Sequence, residues 1–134
     1  MAQALRALAA RESEAQLAVR VHVDDDRLPE LPDRVQSVLL RIAQGALANV
    51  REHAAADNAA LTLTLLDDTV VLDVTDDGHG FDPTELPGSP DAPRGHGLPA
   101  MRARLRALGG TLTVESAPGE GTVVSAAVPL EAPR

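Results

Sequence analysis

Residues 60–80 read Ala-Leu-Thr-Leu-Thr-Leu-Leu-Asp-Asp-Thr-Val-Val-Leu-Asp-Val-Thr-Asp-Asp-Gly-His-Gly. Segments 60–66 and 70–75 are rich in aliphatic residues and threonine, the composition of strands. Asp67-Asp68 between them is a connection short enough for an antiparallel hairpin. The second strand then runs directly into Asp76-Asp77-Gly78-His79-Gly80, two carboxylates followed by two glycines.

Upstream of the hairpin, Val35, Val38, Leu39, Ile42, Ala46 and Val50 keep an i, i+3, i+4 rhythm. That rhythm predicts a long amphipathic helix over 34–54, entered at Pro32-Asp33. Before it, Leu17, Val19, Val21 and Val23 alternate with Ala18, Arg20 and His22, a half-buried strand that the Asp24-Asp25-Asp26 run ends. Residues 2–15 read as a short amphipathic helix without a clear cap. That bare start fits both a piece of a longer parent and a frayed natural terminus.

Downstream, residues 82–94 hold four prolines and one glycine in thirteen positions, a loop composition. A helix over 98–108 follows, with Pro99 in its permitted first turn and Gly109-Gly110 as its stop. Segments 111–115 and 122–128 form a last hairpin around 116–121. The order helix, strand, long helix, two strands, loop, helix, two strands predicts an α+β two-layer sandwich with a mixed, largely antiparallel sheet covered on one face by about three helices. A doubly wound nucleotide fold would need strict strand and helix alternation, which is absent.

The chain has 134 residues, enough for a single domain. One Phe and no Trp or Tyr leave an aliphatic core and no platform on which bases stack. A formal net charge of -8 opposes nucleic acid and anionic membrane surfaces, so neither is an expected partner. There is no cysteine, hence no disulfide framework and no thiolate metal site, which fits a reducing, cytoplasmic setting. No apolar run is long enough to cross a bilayer, and the N-terminus lacks the pattern of a signal peptide.

Five features carry chemistry. Asn49 lies at the edge of the long helix's apolar stripe; its neutral amide oxygen suits Mg²⁺, and a locally bonded helix Asn is the plain alternative. Asp76 ends a strand where a fixed carboxylate can accept from an exocyclic amine, and Gly78 and Gly80 let the backbone approach a ring closely, although Asp-Gly also closes ordinary turns. Gly95-His96-Gly97-Leu98 opens a helix whose free amides favour an anion, with Arg94, His96 and Arg102 as nearby positive charge. Thr122 opens the final strand after Gly119 and Gly121. His53, one turn beyond Asn49, is either phosphate-facing or a buried structural histidine.

In order and spacing, these stretches resemble the N, G1 and G2 boxes of the ATP-binding domain shared by sensor histidine kinases, DNA gyrase, Hsp90 and MutL, the Bergerat fold. The resemblance implies that Asn49 holds Mg²⁺ and that Asp76 receives the adenine amino group. By the same resemblance His53 lies near the phosphates, Gly95, His96, Gly97 and Leu98 meet the phosphates, and Thr122 bonds near Asp76, usually through water. Residues 82–97 would be the ATP lid, with Phe81 anchoring the G1 turn. The run Ala46-Leu47-Ala48-Asn49-Val50 before Arg51-Glu52-His53-Ala54, and residues 107–116, are most similar to the nitrate-sensor class of histidine kinases.

That class binds Mg-ATP and phosphorylates a histidine on a separate dimerisation domain, which then serves a response regulator. The expected partners are therefore that domain, the response regulator and the adenine nucleotide, in the cytoplasmic portion of a bacterial sensor. None of His22, His53, His79 or His96 has the acidic helical context of an acceptor. Two departures stand out. Gly45 replaces the usual N-box Glu, so no catalytic residue is assigned, and Glu52 stands where Lys is common. An anti-sigma-factor-like serine kinase and a degenerate interaction module are the alternatives on the same fold.

Overall fold

The computed structural model describes residues 2–12, 18–24, 28–50, 57–78, 98–116 and 121–130. In chain order these form α1 (Ala2–Glu12), β1 (Ala18–Val23), α2 (Asp33–Asn49), β2 (Asn58–Leu66), β3 (Thr69–Asp76), α3 (Leu98–Ala107), β4 (Thr111–Ser116) and β5 (Thr122–Pro129). The predicted element order holds throughout the described residues. Expected residues 51–54 of the long helix and the 82–97 loop lie outside them.

The five strands form one sheet in the order β1-β2-β3-β5-β4. β2, β3, β5 and β4 pair antiparallel, and β1 joins β2 in parallel, with α2 carrying the crossover between them. Leu66 pairs with Thr69, so Asp67-Asp68 is a two-residue hairpin turn. Asp67 takes φ 55 there, a conformation Asp tolerates better than branched residues.

Alternation sorts the sheet into two faces. Leu61, Leu63, Val70, Leu72, Val74, Val124, Ala126 and Val128 are buried under the helices. Thr62, Asp73, Ser125 and Thr113 occupy one transverse row of the other face. Leu5 and Leu8 of α1, Leu39, Ile42 and Leu47 of α2, and Met101 and Leu105 of α3 close the core from one side. All of these are aliphatic or thioether side chains, and burying each Leu contributes roughly 1.5–3 kcal/mol relative to exposure.

α3 stops as its glycines predict. Gly110 N–H donates to Leu105 O at 2.7 Å and Gly109 N–H to Arg106 O at 3.0 Å, with Gly109 at φ 74. This is the paired 6→1 and 5→2 pattern that glycine past a helix end permits. No helix among the described residues is long and apolar enough to cross a membrane.

Candidate functional site

Helix direction decides which residues meet. A groove at one end of the molecule is lined by Arg34 and Val35 from the start of α2, Ala107 and Leu108 at the end of α3, and Val128 and Pro129 at the end of β5. Pro129 pairs with Thr69, the first residue of β3. The 17 residues of α2 span about 25 Å at 1.5 Å each. The 8 residues of β3 span about 26 Å. Asn49 at the end of α2 therefore lies at the same end of the sheet as Asp76 at the end of β3. α3 runs antiparallel to α2, because Ala100, Met101 and Arg104 line a cleft with Arg41, Ile42 and Gly45. Its amino end at Leu98 consequently points the same way, and Arg102 lies half-buried in its second turn.

At that end, Asp76 is half-buried and its Oδ1 accepts from Gly78 N–H at 2.8 Å. Oδ2 has no hydrogen bond among the described residues. Burial pushes the Asp76 carboxyl above the ordinary aspartate value; the Gly78 amide opposes this and the Asp77 charge adds to it. A half-desolvated carboxylate with one oxygen to spare is suited to a ligand N–H donor.

Thr122 stands directly across the ladder from Asp76. It is only 7% exposed, the buried polar residue of the described core. Its Oγ1 lies 2.8 Å from Ser116 Oγ, and Ser116 Oγ–H donates to Gly121 O at 3.0 Å. Either hydroxyl of this pair can supply its proton, and each oxygen can also accept. Gly121 takes φ 77, and a Cβ there would meet the Asp76 carbonyl oxygen and the Asp77 Cα. The β5 backbone can approach the Asp76 turn this closely only through glycine.

Among the described residues, the buried Oδ1 of Asn49 has no hydrogen-bond partner. A buried amide oxygen left this way is unfavourable unless something else satisfies it. One turn earlier, Gly45 faces α3, and a Cβ there would meet the terminal methyl of Met101.

Asn49, Asp76, Gly78, Thr122 and the backbone of Leu98 are thus gathered at one end of the sheet. His53, Gly80, Arg94, Gly95, His96 and Gly97 lie outside the described residues. Two neighbours escaped the sequence reading, Ser116, which orients Thr122, and Asp77. The Asp77 Oδ1 accepts from Asp57 N–H and Asn58 N–H, each at 2.9 Å, and its Oδ2 from Asn58 Nδ2 at 2.9 Å. The Asn58 side-chain and backbone bonds, with the Asp57 amide, hold the Asp77 carboxyl below the usual aspartate range. Its position in an Asp-Asp-Gly turn was the available signal, but nothing local says which backbone it caps.

Comparison with known proteins bears on the family and the fold. Residues 34–132 match the family model described as histidine kinase-, DNA gyrase B- and HSP90-like ATPase. The chain is 37% identical over 131 residues to the signal transduction histidine-protein kinase/phosphatase UhpB of Salmonella typhimurium, covering 96% of this chain and 24% of UhpB. It is 39% identical over 105 residues to the nitrate/nitrite sensor protein NarQ of Escherichia coli, covering 75% of this chain and 18% of NarQ. The chain therefore spans about a quarter or less of these two relatives. The catalytic domain of histidine kinase ThkA shares the fold, with a TM-score of 0.76 at 17% identity over 95% of this chain and 90% of that domain. The family match over residues 34–132 and the identity to these relatives place this chain in the histidine kinase-, DNA gyrase B- and HSP90-like ATPase family, as an ATP-binding domain of the kind found in sensor histidine kinases.

Proposed function

We propose that this chain, as one catalytic domain spanning residues 1–134, binds Mg-ATP and donates its γ-phosphoryl group to a histidine on a separate dimerisation domain of a longer, cytoplasmically facing sensor kinase, which in turn serves a response regulator. The observation that carries the proposal is the convergence of the Asp76 carboxylate, with Oδ2 to spare, and the unpartnered buried Oδ1 of Asn49 at one end of the sheet. The first suits the adenine amine. The second is a neutral oxygen of the type Mg²⁺ prefers, and its lack of a partner fits a metal ligand.

Asn49 would hold Mg²⁺, which neutralises phosphate charge in the transferring group. The amino end of α3 would add free amides and a positive dipole on the same side. Gly95, His96, Gly97 and Leu98, with Arg94 and His53, would line the phosphates, and residues 82–97 would close over them as a lid. Gly80 would complete the turn begun at Gly78. Thr122 would hydrogen-bond, through its hydroxyl, a water or the amine beside Asp76.

At the position of the usual N-box Glu, this chain has Gly45 packed against Met101. No carboxylate stands one turn before Asn49. The acceptor domain then brings both nucleophile and base, and this domain contributes positioning and charge neutralisation.

The test is incubation with γ-labelled ATP and Mg²⁺, with and without the dimerisation domain of the parent kinase. Acid-labile phosphohistidine on the added domain, with near-zero phosphate release by the chain alone, is the expected result. Asn49→Ala should cut that transfer by about 100-fold or more, the several kcal/mol a catalytic metal contributes, while metal-free ADP binding stays near native. Fast phosphate release by the chain alone, or acid-stable phosphoserine as product, contradicts the proposal.

A further inference from the structure

We infer that Asp77 is a positioning residue, a latch that fixes the adenine-recognising turn to the strand entry reached from the Asn49 helix. The inference rests on the nucleotide reading above and assigns a role to the one carboxylate of the Asp76-Asp77 pair that does not face the ligand.

Asp77 sits just past the end of β3, where its carboxylate reaches across to the start of β2. Its oxygens take the Asp57 and Asn58 amides and the Asn58 side-chain amide, all at 2.9 Å. Its own N–H donates to Asn58 O at 3.2 Å, so the two residues bond in both directions. Asp57 O in turn accepts from Ala18 N–H at 2.9 Å, which carries the contact on to β1. The carboxylate therefore ties the end of β3 to the start of β2, and the Asp57 carbonyl links that point to β1. The next ladder pair is Ala59 with Asp76, so any slack between residues 57 and 77 moves the Asp76 backbone. Asp57 also closes the connection that leaves α2 after Asn49, and the same bonds fix where that connection enters the sheet.

The chemistry asks for a carboxylate. Two backbone N–H groups and one side-chain N–H converge on it, and only an acceptor with two oxygens and no hydrogen meets all three without presenting a donor. Because ionised acceptors form the stronger hydrogen bonds, the latch is stiffer than an amide would make it.

The role is tested on the full chain by titration calorimetry with ADP and with inosine diphosphate, which lacks the 6-amino group, together with amide exchange at Asp57 and Asn58. Asp77→Ala should bind ADP roughly tenfold more weakly, the scale of a lost charged hydrogen bond. It should also lose much of the preference for ADP over inosine diphosphate, and exchange the two amides faster. The double substitution Asp77→Asn/Asn58→Asp keeps an acceptor for the backbone and a side-chain bond with the charge transposed, and should recover most of the affinity and preference. A merely structural residue would lower stability without changing that preference. Native ADP affinity and preference in Asp77→Ala overturn the inference, and so does a double variant no better than Asp77→Ala. Failure of the native chain to bind ADP is seen before any variant is compared; it overturns the nucleotide reading, and this role with it.

Discussion

Asp76→Asn should weaken ADP binding by roughly 100-fold or more while slightly raising the thermal midpoint of the ligand-free chain. A site arranged to accept a proton from a ligand amine discriminates strongly when the acceptor is lost or replaced by a group that can present a donor. Stability moves the other way for a separate reason. Burial holds the Asp76 carboxyl above its ordinary value of 3.8, so the folded state disfavours the charged form. For such a group the cost is present above the raised value and fades as pH falls through it. The stability gap between variant and native chain should therefore close on acidification. ADP affinity of the native chain should fall over the same interval, at milder acidity than an ordinary aspartate would give. Differential scanning fluorimetry across pH, paired with displacement of a fluorescent nucleotide, measures both. A variant that loses stability at neutral pH, or binds ADP like the native chain, contradicts the assignment.

Gly121→Ala should be the most damaging small substitution. A left-handed φ costs a non-glycine residue about 1–2 kcal/mol, and forcing a methyl group into packed surroundings adds about 1–3 kcal/mol. At φ 77 the new Cβ meets the Asp76 carbonyl, so the displacement falls on the Asp76 turn itself. The expected loss of about 2–5 kcal/mol is a large share of a small domain's stability of about 5–15 kcal/mol. Gly109→Ala is the control. It has a similar φ of 74, but its Cβ would find only Pro129 Cγ at 3.7 Å, an ordinary contact. It should lose about 1–2 kcal/mol and bind ADP normally. Chemical denaturation and nucleotide titration of the two variants separate backbone strain from damage to the site.

Asn49 and Asp76 share a signature. Each is unfavourable in the ligand-free fold, the one through an unpartnered buried oxygen and the other through a half-desolvated charge. Core packing alone gives no reason for either, which is the usual mark of residues kept for a ligand.

The parts of this architecture visible in the sequence are those fixed by local pattern. The stripe from Val35 to Val50 marks α2, the Asp67-Asp68 pair marks the hairpin, and Gly109-Gly110 marks the end of α3. β2 starts at Asn58 and not at 60, because its ladder with β3 extends to the Ala59 and Asp76 pair, a property of the partner strand. The parallel pairing of β1 with β2 likewise depends on the crossover through α2, which no local period encodes. Asn49, Asp76 and Thr122 were legible because motif order carries them. The Asp77 latch and the Ser116 hydroxyl pair were not, since both arise only when register brings residues from different strands together. Gly45 was legible as a missing carboxylate, but its packing against Met101 needed the helix pair.

Titration calorimetry of the native chain with ADP, with and without Mg²⁺, tests the central claim most directly. One-to-one binding, lost in Asp76→Ala and strengthened by Mg²⁺ only when Asn49 is present, is the predicted result. No binding of ADP by the folded chain, or binding indifferent to Asp76, contradicts it.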